Sequence, residues 1–282
     1  MLRKMFMACR MIFDNPELFL KYFIGRINRI ACWVVKSLGK TKYFNGVKFI
    51  IDKDYEGFES SLKEIRSNSF EIDVVETIKS KLKKGDVYFD VGANVGYMTA
   101  IGAGLVGKEG SVHSFEPVPY TYEKLRRVAD LNPQYKIFTN NVAVGASNGS
   151  LNMHCALPPH TGGSTLLDES LNEFSKYSKI KVPVVTLSEY AKDKKISNIS
   201  LIKIDVEGFE FQVIKGLSDY FNHTKIYPTI LTEVIAASYE VNDLLSFMSR
   251  YNYSFHDACF PKKVLKVENI KRGMNILFVQ KD

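Results

Sequence analysis

Residues 85–97 read Gly-Asp-Val-Tyr-Phe-Asp-Val-Gly-Ala-Asn-Val-Gly-Tyr, and this stretch decides the fold. Its apolar run at 87–91 predicts a buried strand, and residues 95–106 have the spacing of a helix. Gly92, in the turn between them, permits a sharp change of direction, and Gly96 permits close packing of the helix on the strand. The backbone between the two glycines is therefore open to the approach of a ligand.

Strands and helices alternate on the C-terminal side of this turn. Strands are predicted at 112–115, 136–139, 201–204, 229–232, 253–256 and 275–279, and helices at 120–131, 210–217 and 241–250. Such alternation predicts an α/β fold, a mainly parallel sheet with helices on both faces, whose ligands bind beyond the carboxyl ends of the strands. Residues 155–181 have no clear pattern, so we expect a lid or a binding loop there.

An acid follows the glycine turn at the distance that nucleoside-binding folds use. Glu116 ends the next predicted strand, about 20 residues on, where its carboxylate could accept both hydrogen bonds from a ribose diol. The alternative is an ordinary strand–helix turn with a capping acid. Glycines and acid together, each at a strand end, favour nucleoside binding.

The details of the turn indicate which nucleoside. A dinucleotide fold carries a glycine where this chain has Asn94, because the helix N-terminus there meets a pyrophosphate. Asp90, at the end of the first strand, would repel a pyrophosphate and would suit a cationic ligand. S-adenosylmethionine combines a ribose, a positive sulfonium and an amino acid head, so the sequence favours it over NAD.

Further carboxylates follow the later strands. Asp205 ends the strand at 201–204 and Glu207 begins the next turn, so both should lie at the same sheet edge as the glycine turn. A base beside an aliphatic hydroxyl helps it to react, and Asp205 is the first candidate for that role and Glu207 the second. Either acid could instead cap the next helix. Glu233 could orient a hydroxyl or share a divalent ion with Asp205, but no ligand spacing defines a metal site, so no metal residue is assigned.

Composition limits the class of protein. The chain has 282 residues, of which 45% are hydrophobic and 24% charged, as in a globular protein with one large domain and an appendage. No apolar run approaches the ~20 residues of a membrane-spanning helix. The four cysteines form no C-x-x-C pair, which argues against a zinc knuckle and indicates a reducing compartment. We therefore expect a cytoplasmic protein.

The charge is concentrated at one end of the chain. Residues 1–48 hold ten Lys/Arg and two Asp/Glu, and residues 49–282 hold 28 and 29. We divide the chain there, into a basic helical extension (1–48) and the main domain (49–282). The extension could pack on the main domain or lie as an amphipathic helix on an anionic membrane surface. The near-neutral main domain argues against a nucleic acid partner.

The motifs together resemble a known family. Residues 85–97 look like the first motif of the FkbM-type S-adenosylmethionine-dependent methyltransferases, and residues 115–117 and 141–145 resemble the second and third. Residues 204–210, Ile-Asp-Val-Glu-Gly-Phe-Glu, are similar to the family's most distinctive signature. The resemblance implies a class I, Rossmann-like fold and O-methylation, often of a sugar hydroxyl in a glycan or a glycosylated natural product.

The resemblance also implies roles for individual residues. Asp90, Gly92, Asn94 and Gly96 would line the methionine and ribose parts of the cofactor, and Glu116 would hold the ribose hydroxyls. Asn141 and Val142 would flank the adenine. Glu71 would bind the cofactor's amino group, although it could equally be an acid on a surface helix.

The favoured hypothesis is an O-methyltransferase that acts on a sugar hydroxyl. Its alternatives are a non-catalytic or partner-dependent domain of the same fold, and a protein or RNA methyltransferase. Residues 205–208 read Asp-Val-Glu-Gly where methyltransferases of the adenine amino group commonly carry N/D-P-P-Y, which argues against that branch. His160, in the weakly patterned stretch, is a lower-ranked candidate base.

Overall fold

A computed structural model of the chain describes residues 41–50, 65, 70–156, 177–234, 238–259, 264–270 and 273–281. The chain divides into two compact units, residues 1–42 with 50–52 and residues 43–49 with 53–282, and the second contains the folded domain described below. The predicted helix of the basic extension and His160 lie outside the described residues.

The strands and helices predicted from residue 87 onwards are present, together with helices and strands that were not predicted. The strands are β1 (Thr41–Phe44), β2 (Val47–Ile50), β3 (Val87–Val91), β4 (Ser111–Phe115), β5 (Ile137–Asn140), β6 (Ala143–Val144), β7 (Gly149–Ala156), β8 (Tyr177–Val185), β9 (Leu201–Ile204), β10 (Thr229–Val234), β11 (Tyr253–Asp257) and β12 (Met274–Gln280). The α-helices are α1 (Ile72–Lys81), α2 (Tyr97–Val106), α3 (Pro119–Asp130), α4 (Leu187–Asp193), α5 (Glu210–Lys215), α6 (Ser218–Thr224) and α7 (Ser238–Ser249).

A seven-stranded sheet forms the centre of the domain. Its spatial order is β11-β12-β10-β9-β3-β4-β5. The pairs from β10 to β5 are parallel, and β12 runs antiparallel to both of its neighbours. The predicted α/β fold with a mainly parallel sheet is therefore confirmed.

Helices cover both faces of this sheet. Neighbouring residues of β3 point to opposite faces, and each face contacts helices. Phe89 packs into a hydrophobic core cluster that includes residues of α4, α5, α6 and α7. Tyr88 faces α2 so closely that a Cβ added at Gly102 would lie 2.3 Å from its ring. Strand β9 is buried along its whole length, as expected of a central strand covered on both faces.

The helix after the glycine turn begins at Tyr97, two residues later than predicted. Residues Gly92, Asn94 and Gly96 have positive φ angles of 76°, 49° and 86°, so the turn is longer than expected. A Cβ at Gly96 would meet Leu125 and Val128 of α3 at 3.0 Å. The close packing that Gly96 permits is therefore with the neighbouring helix and not with the strand.

The weakly patterned stretch is partly a hairpin of a second sheet, β6-β8-β7. The prediction of a loop over 155–181 was wrong at its two ends, where Ala156 pairs with Tyr177 and Cys155 with Ser178. Exposed and more buried positions alternate along 179–184 of β8, which is the pattern of a half-buried strand and was not used in the prediction. The partner strand is also distant in sequence.

Residues 41–48 had been assigned to the helical extension, but they belong to the hairpin β1–β2. Its turn is Asn45-Gly46, with φ angles of 47° and 92°, a pair that favours two-residue hairpins. Phe44 and Phe49 pack edge-on against Tyr97. The predicted helix at 210–217 corresponds to α5, which ends at Lys215, and α6 was not predicted. None of the helices described here is long and apolar enough to cross a bilayer.

Candidate active site

Four strand ends and the segment before α1 converge at the carboxyl edge of the sheet. The glycine turn follows β3, Glu116 follows β4, Asp205 follows β9 and Glu233 lies near the end of β10. Parallel strands end at one edge, so the sequence order of these residues becomes spatial proximity. The Asp205 N–H donates to the Val91 carbonyl at 3.0 Å, which joins the β9 end to the glycine turn.

Backbone contacts fix the glycine turn in place. The N–H groups of Gly92 and Ala93 both donate to the carbonyl of Phe115 at 3.0 Å. Gly92 lies against β9, because a Cβ there would be 1.7 Å from the carbonyl oxygen of Asp205. The turn therefore requires glycine at position 92 for its φ angle and for space.

Glu116 binds the turn from the neighbouring strand. It is 6% exposed. Its carboxylate accepts hydrogen bonds from the Asn94 N–H (2.8 Å), the Val118 N–H (2.9 Å) and the Thr121 hydroxyl (2.8 Å). Burial raises its pKa, and these bonds oppose the rise. A carboxylate has about four acceptor positions, so about one remains for a ribose hydroxyl, fewer than the two we expected.

Asp90 lies beneath the turn and lines neither of the cavities described below. It is fully buried, and its Oδ2 accepts a hydrogen bond of 2.6 Å from Thr99. Its Oδ1 has no hydrogen-bond partner and lies 4.0 Å from the Lys203 ammonium. Burial raises the pKa of Asp90, and the Lys203 charge lowers it.

Two adjoining cavities open at this edge. One of about 60 Å³ is lined by Ile65, Phe70, Glu71, Gly92, Ala93, Asn94, Val95, Tyr97, Met98, Lys203 and Asp205. The other, of about 160 Å³, is lined by Glu71, Val74, Lys203, Ile204, Asp205, Leu231, Glu233 and Asn275. Glu71, Lys203 and Asp205 line both, so they form the wall between the turn and the end of β10.

Lys203 is the site residue that our sequence analysis missed. It is 6% exposed, and its Nζ lies 3.0 Å from Asp205 Oδ2. Burial opposes the charge, but Asp205, Asp90 and Glu71 outweigh it and raise the pKa of Lys203. The available signal was a lysine inside the four-residue apolar strand at 201–204.

Glu71 and Glu207 have strongly raised pKa values. Glu71 begins α1 in a left-handed conformation, and desolvation raises its pKa to about 7. Glu71 is exposed, so solvent offsets part of this effect. Burial, followed by the charge of Asp205, raises the pKa of Glu207 to about 8. Glu207 has a φ angle of 54° and lines neither cavity.

Asn141 and Val142, which were predicted to flank the adenine, lie beside the end of β4. The Asn141 amide donates to the carbonyls of Glu116 (2.8 Å) and Pro117 (3.1 Å), which orders the backbone after β4. Val142 is half-buried against the core cluster that contains Phe89.

Over the ranges that the structure describes, no three His, Cys, Asp or Glu side chains are grouped to hold a metal ion. A groove of about 620 Å³ lies between α4 and α6, but none of the predicted site residues lines it.

The family model described as "Methyltransferase FkbM domain" matches residues 90–255. The hexuronic acid methyltransferase AglP of Haloferax volcanii is 23% identical over 155 residues, which are 55% of this chain and 59% of that protein. The 31-O-demethyl-FK506 methyltransferase FkbM of Streptomyces tacrolimicus is 31% identical over 165 residues, 49% of this chain and 62% of that protein. The chain thus spans about six tenths of the length of these curated relatives.

The solved structures that are similar to the chain include two methyltransferases. The FkbM methyltransferase of Methylobacillus flagellatus has a TM-score of 0.45 and 13% identity over 82% of this chain and 63% of its own. A SAM-dependent O-methyltransferase of Thermotoga maritima has a TM-score of 0.43 and 13% identity over 85% of this chain and 76% of its own. The family match runs from Asp90 at the glycine turn to β11 and covers more than half of the chain, which therefore belongs to the FkbM methyltransferase domain family.

Proposed function

We propose that this protein transfers the methyl group of S-adenosylmethionine to a sugar hydroxyl, in a glycan or a glycosylated natural product. One observation carries the proposal: Asp205 is bonded to the end of β3 through its N–H, and its side chain lines both cavities. A carboxylate there lies between the glycine turn and the space beside β10. Membership of the FkbM family and the names of the two relatives, one for a hexuronic acid and one for an O-demethyl compound, support the same reaction.

The chemistry of the turn fits this cofactor. Asn94 Oδ1 is buried with no hydrogen-bond partner, and Asn94 lines the smaller cavity with Glu71 and Asp205. Unsatisfied oxygens and carboxylates suit a cationic ligand, and 60 Å³ has room for an ammonium group and not for a nucleoside. We propose that residues 92–96 and Glu71 hold the methionine end of the cofactor, with Asp90 buried beneath the turn, and that Glu116, Asn141 and Val142 hold the nucleoside. When bound, the cofactor supplies a methyl group that its positive sulfur has already activated.

Asp205 is the proposed base. Its Oδ2 is held by Lys203 at 3.0 Å, and its side chain is 25% exposed, so the carboxylate can meet an acceptor. It would take the hydroxyl proton as the oxygen attacks, a contribution of typically ~10²–10⁴-fold. Glu207, with a pKa of about 8, is mostly protonated at neutral pH, and because it lines neither cavity the proposal gives it no direct contact with the acceptor.

Calorimetric titration with S-adenosylmethionine and with NAD tests the cofactor. We expect saturable binding of S-adenosylmethionine alone. Binding of neither would contradict the proposal and favour a non-catalytic or partner-dependent domain. Transfer of labelled methyl to a panel of glycosides then tests the acceptor, and label found in protein or RNA in place of glycosides would show that the acceptor class is wrong.

A further inference from the structure

Lys203 occupies an unusual position for a charged residue. It lies in β9, between β3 and β10, opposite Asp90 on one side and Leu231 on the other. The residue is 6% exposed, and burying an ammonium is costly unless partners repay the lost hydration. An apolar side chain would fill a central strand at lower cost, so the charge itself requires an explanation.

Several neighbouring elements place acids near this ammonium. They are Asp90 of β3, Glu116 after β4, Asp205 and Glu207 after β9, Glu233 of β10 and Glu71 before α1. Of the described residues that line the two cavities, Lys203 is the one cation. Its charge lowers the pKa of Glu71, Asp90, Glu116, Glu207 and Glu233 against the effect of their burial.

The hydrogen bond of Lys203 shows which acid it serves. If Lys203 only neutralised the fully buried Asp90, its shortest contact should be with that carboxylate. Its Nζ is instead 4.0 Å from Asp90 and 3.0 Å from Asp205, the partly exposed carboxylate of both cavities. The ammonium therefore orients a group that a ligand can reach.

We propose that Lys203 is a positioning residue: its ammonium orients the Asp205 carboxylate, between the two cavities, for the methyl donor and the acceptor, and supplies the one positive charge among the described residues that line them. The inference rests on the proposed function and adds a residue to it. Its consequence is that the variant without this charge binds a cationic cofactor more weakly than wild type, and that the difference is largest at low pH. A purely structural ion pair would change stability without changing that pH dependence.

The test compares Lys203→Met with wild type in calorimetric titrations of S-adenosylmethionine between about pH 6 and pH 9. The ratio of the two dissociation constants at each pH cancels the titration of the cofactor itself. We expect the variant to bind about tenfold more weakly near neutral pH and the difference to shrink as pH rises, because the acidic limb moves up by about one pH unit. Lys203→Arg should restore most of the affinity.

Two further variants serve as controls. Lys181→Met removes an exposed lysine from strand β8 and should match wild type at every pH. Lys203→Gln keeps a hydrogen-bond donor for Asp205 without the charge, and it carries the test if Lys203→Met does not fold. Thermal unfolding at each pH reports the folded fraction.

The outcomes separate the inference from the proposed function. If wild type binds no S-adenosylmethionine, the proposed function fails, and the inference fails with it. If wild type binds and the ratio for Lys203→Met or Lys203→Gln is constant across the pH range, the inference alone is overturned and Lys203 is structural.

Discussion

Glu116 uses most of its hydrogen-bonding capacity on its own chain. Replacing it by alanine would leave the Asn94 N–H, the Val118 N–H and the Thr121 hydroxyl without an acceptor. An alanine variant would therefore lose folding stability as well as ligand affinity, and the two effects could not be separated. Glu116→Gln keeps the shape and an acceptor oxygen. We expect it to weaken S-adenosylmethionine binding by ~1–2 kcal/mol through loss of a charge-assisted bond to the ribose.

Calorimetry measures this change, and Thr121→Val is its control. That variant removes a donor to Glu116. It should lower the melting temperature and change the affinity for S-adenosylmethionine little. Unchanged affinity in Glu116→Gln would remove the ribose assignment.

Asp205→Asn tests the proposed base. The amide keeps the size of the side chain but cannot take a proton, so methyl transfer should fall by ~10²-fold or more while cofactor affinity stays within a few-fold of wild type. Glu207→Gln is the comparison: with a pKa of about 8, Glu207 is mostly protonated at neutral pH, and glutamine resembles the protonated form. Its turnover should fall less. Single-turnover rates measure both, and an Asp205→Asn enzyme at the wild-type rate would make Asp205 structural.

Individual residues were predictable where a strand end marks them. Asp90, Glu116 and Asp205 each follow an apolar run, and parallel strands end together. Lys203 was not, because a lone lysine in a short strand also occurs at a sheet surface, and its meaning depends on β9 lying between β3 and β10. That neighbour relation is a property of the assembled sheet.

At the scale of elements, the glycine turn joins β3, α2 and β9. Gly92→Ala adds a methyl group 1.7 Å from the Asp205 carbonyl at a φ of +76°, so strand β9 or the turn must move. Gly85→Ala is a matched control, since its φ is +88° and nothing lies within 4 Å. We expect Gly85→Ala to cost ~1 kcal/mol of unfolding free energy and Gly92→Ala several times that.

Chemical denaturation measures both glycine variants. Equal losses of unfolding free energy would mean that the contact between residue 92 and β9 is relieved without cost. The inference that the turn packs tightly on β9 would then be wrong.

Elements with local signals were predicted well, and those defined by distant partners were not. The apolar runs of β3 and β9 are recognisable in isolation. The β7–β8 pair joins segments separated by residues 157–176, so the partner of each strand is not adjacent in sequence, although β8 itself alternates as a half-buried strand does. The β1–β2 hairpin did carry a local signal, Asn45-Gly46, between short apolar segments, which our sequence analysis did not use.

At the scale of the whole molecule, buried acids make stability depend on pH. Glu210 is 1% exposed, its Oε1 accepts the Gly208 N–H at 2.9 Å, and burial raises its pKa to about 7. The folded protein therefore keeps a proton that the unfolded chain releases near the ordinary pKa of 4.5. Unfolding free energy falls as pH rises through this interval.

Burial acts in the opposite sense on His113, whose pKa is lowered to about 4 from 6.5, so its contribution rises with pH below about 6.5. Below about pH 6.5 the effects of Glu210 and His113 on the unfolding free energy oppose each other. Above about pH 6.5 the carboxyl groups act without this opposition. Between about pH 6.5 and 8 we expect Glu210 to cost ~1 kcal/mol of stability, and Glu210→Gln to remove that part of the slope. Denaturant melts across this interval measure it, with exposed Glu76→Gln as the control. A wild-type profile that stays flat would contradict the raised pKa of Glu210.

The position of β12 has a consequence for how the protein is made. β12 follows β11 in the chain but lies between β10 and β11, antiparallel to both. Until residues 274–280 have emerged from the ribosome, β10 presents an open edge and β11 has no place in the sheet. A nascent chain at that length should be the form most in need of a chaperone, and emergence of residues 274–280 should close the sheet and release it.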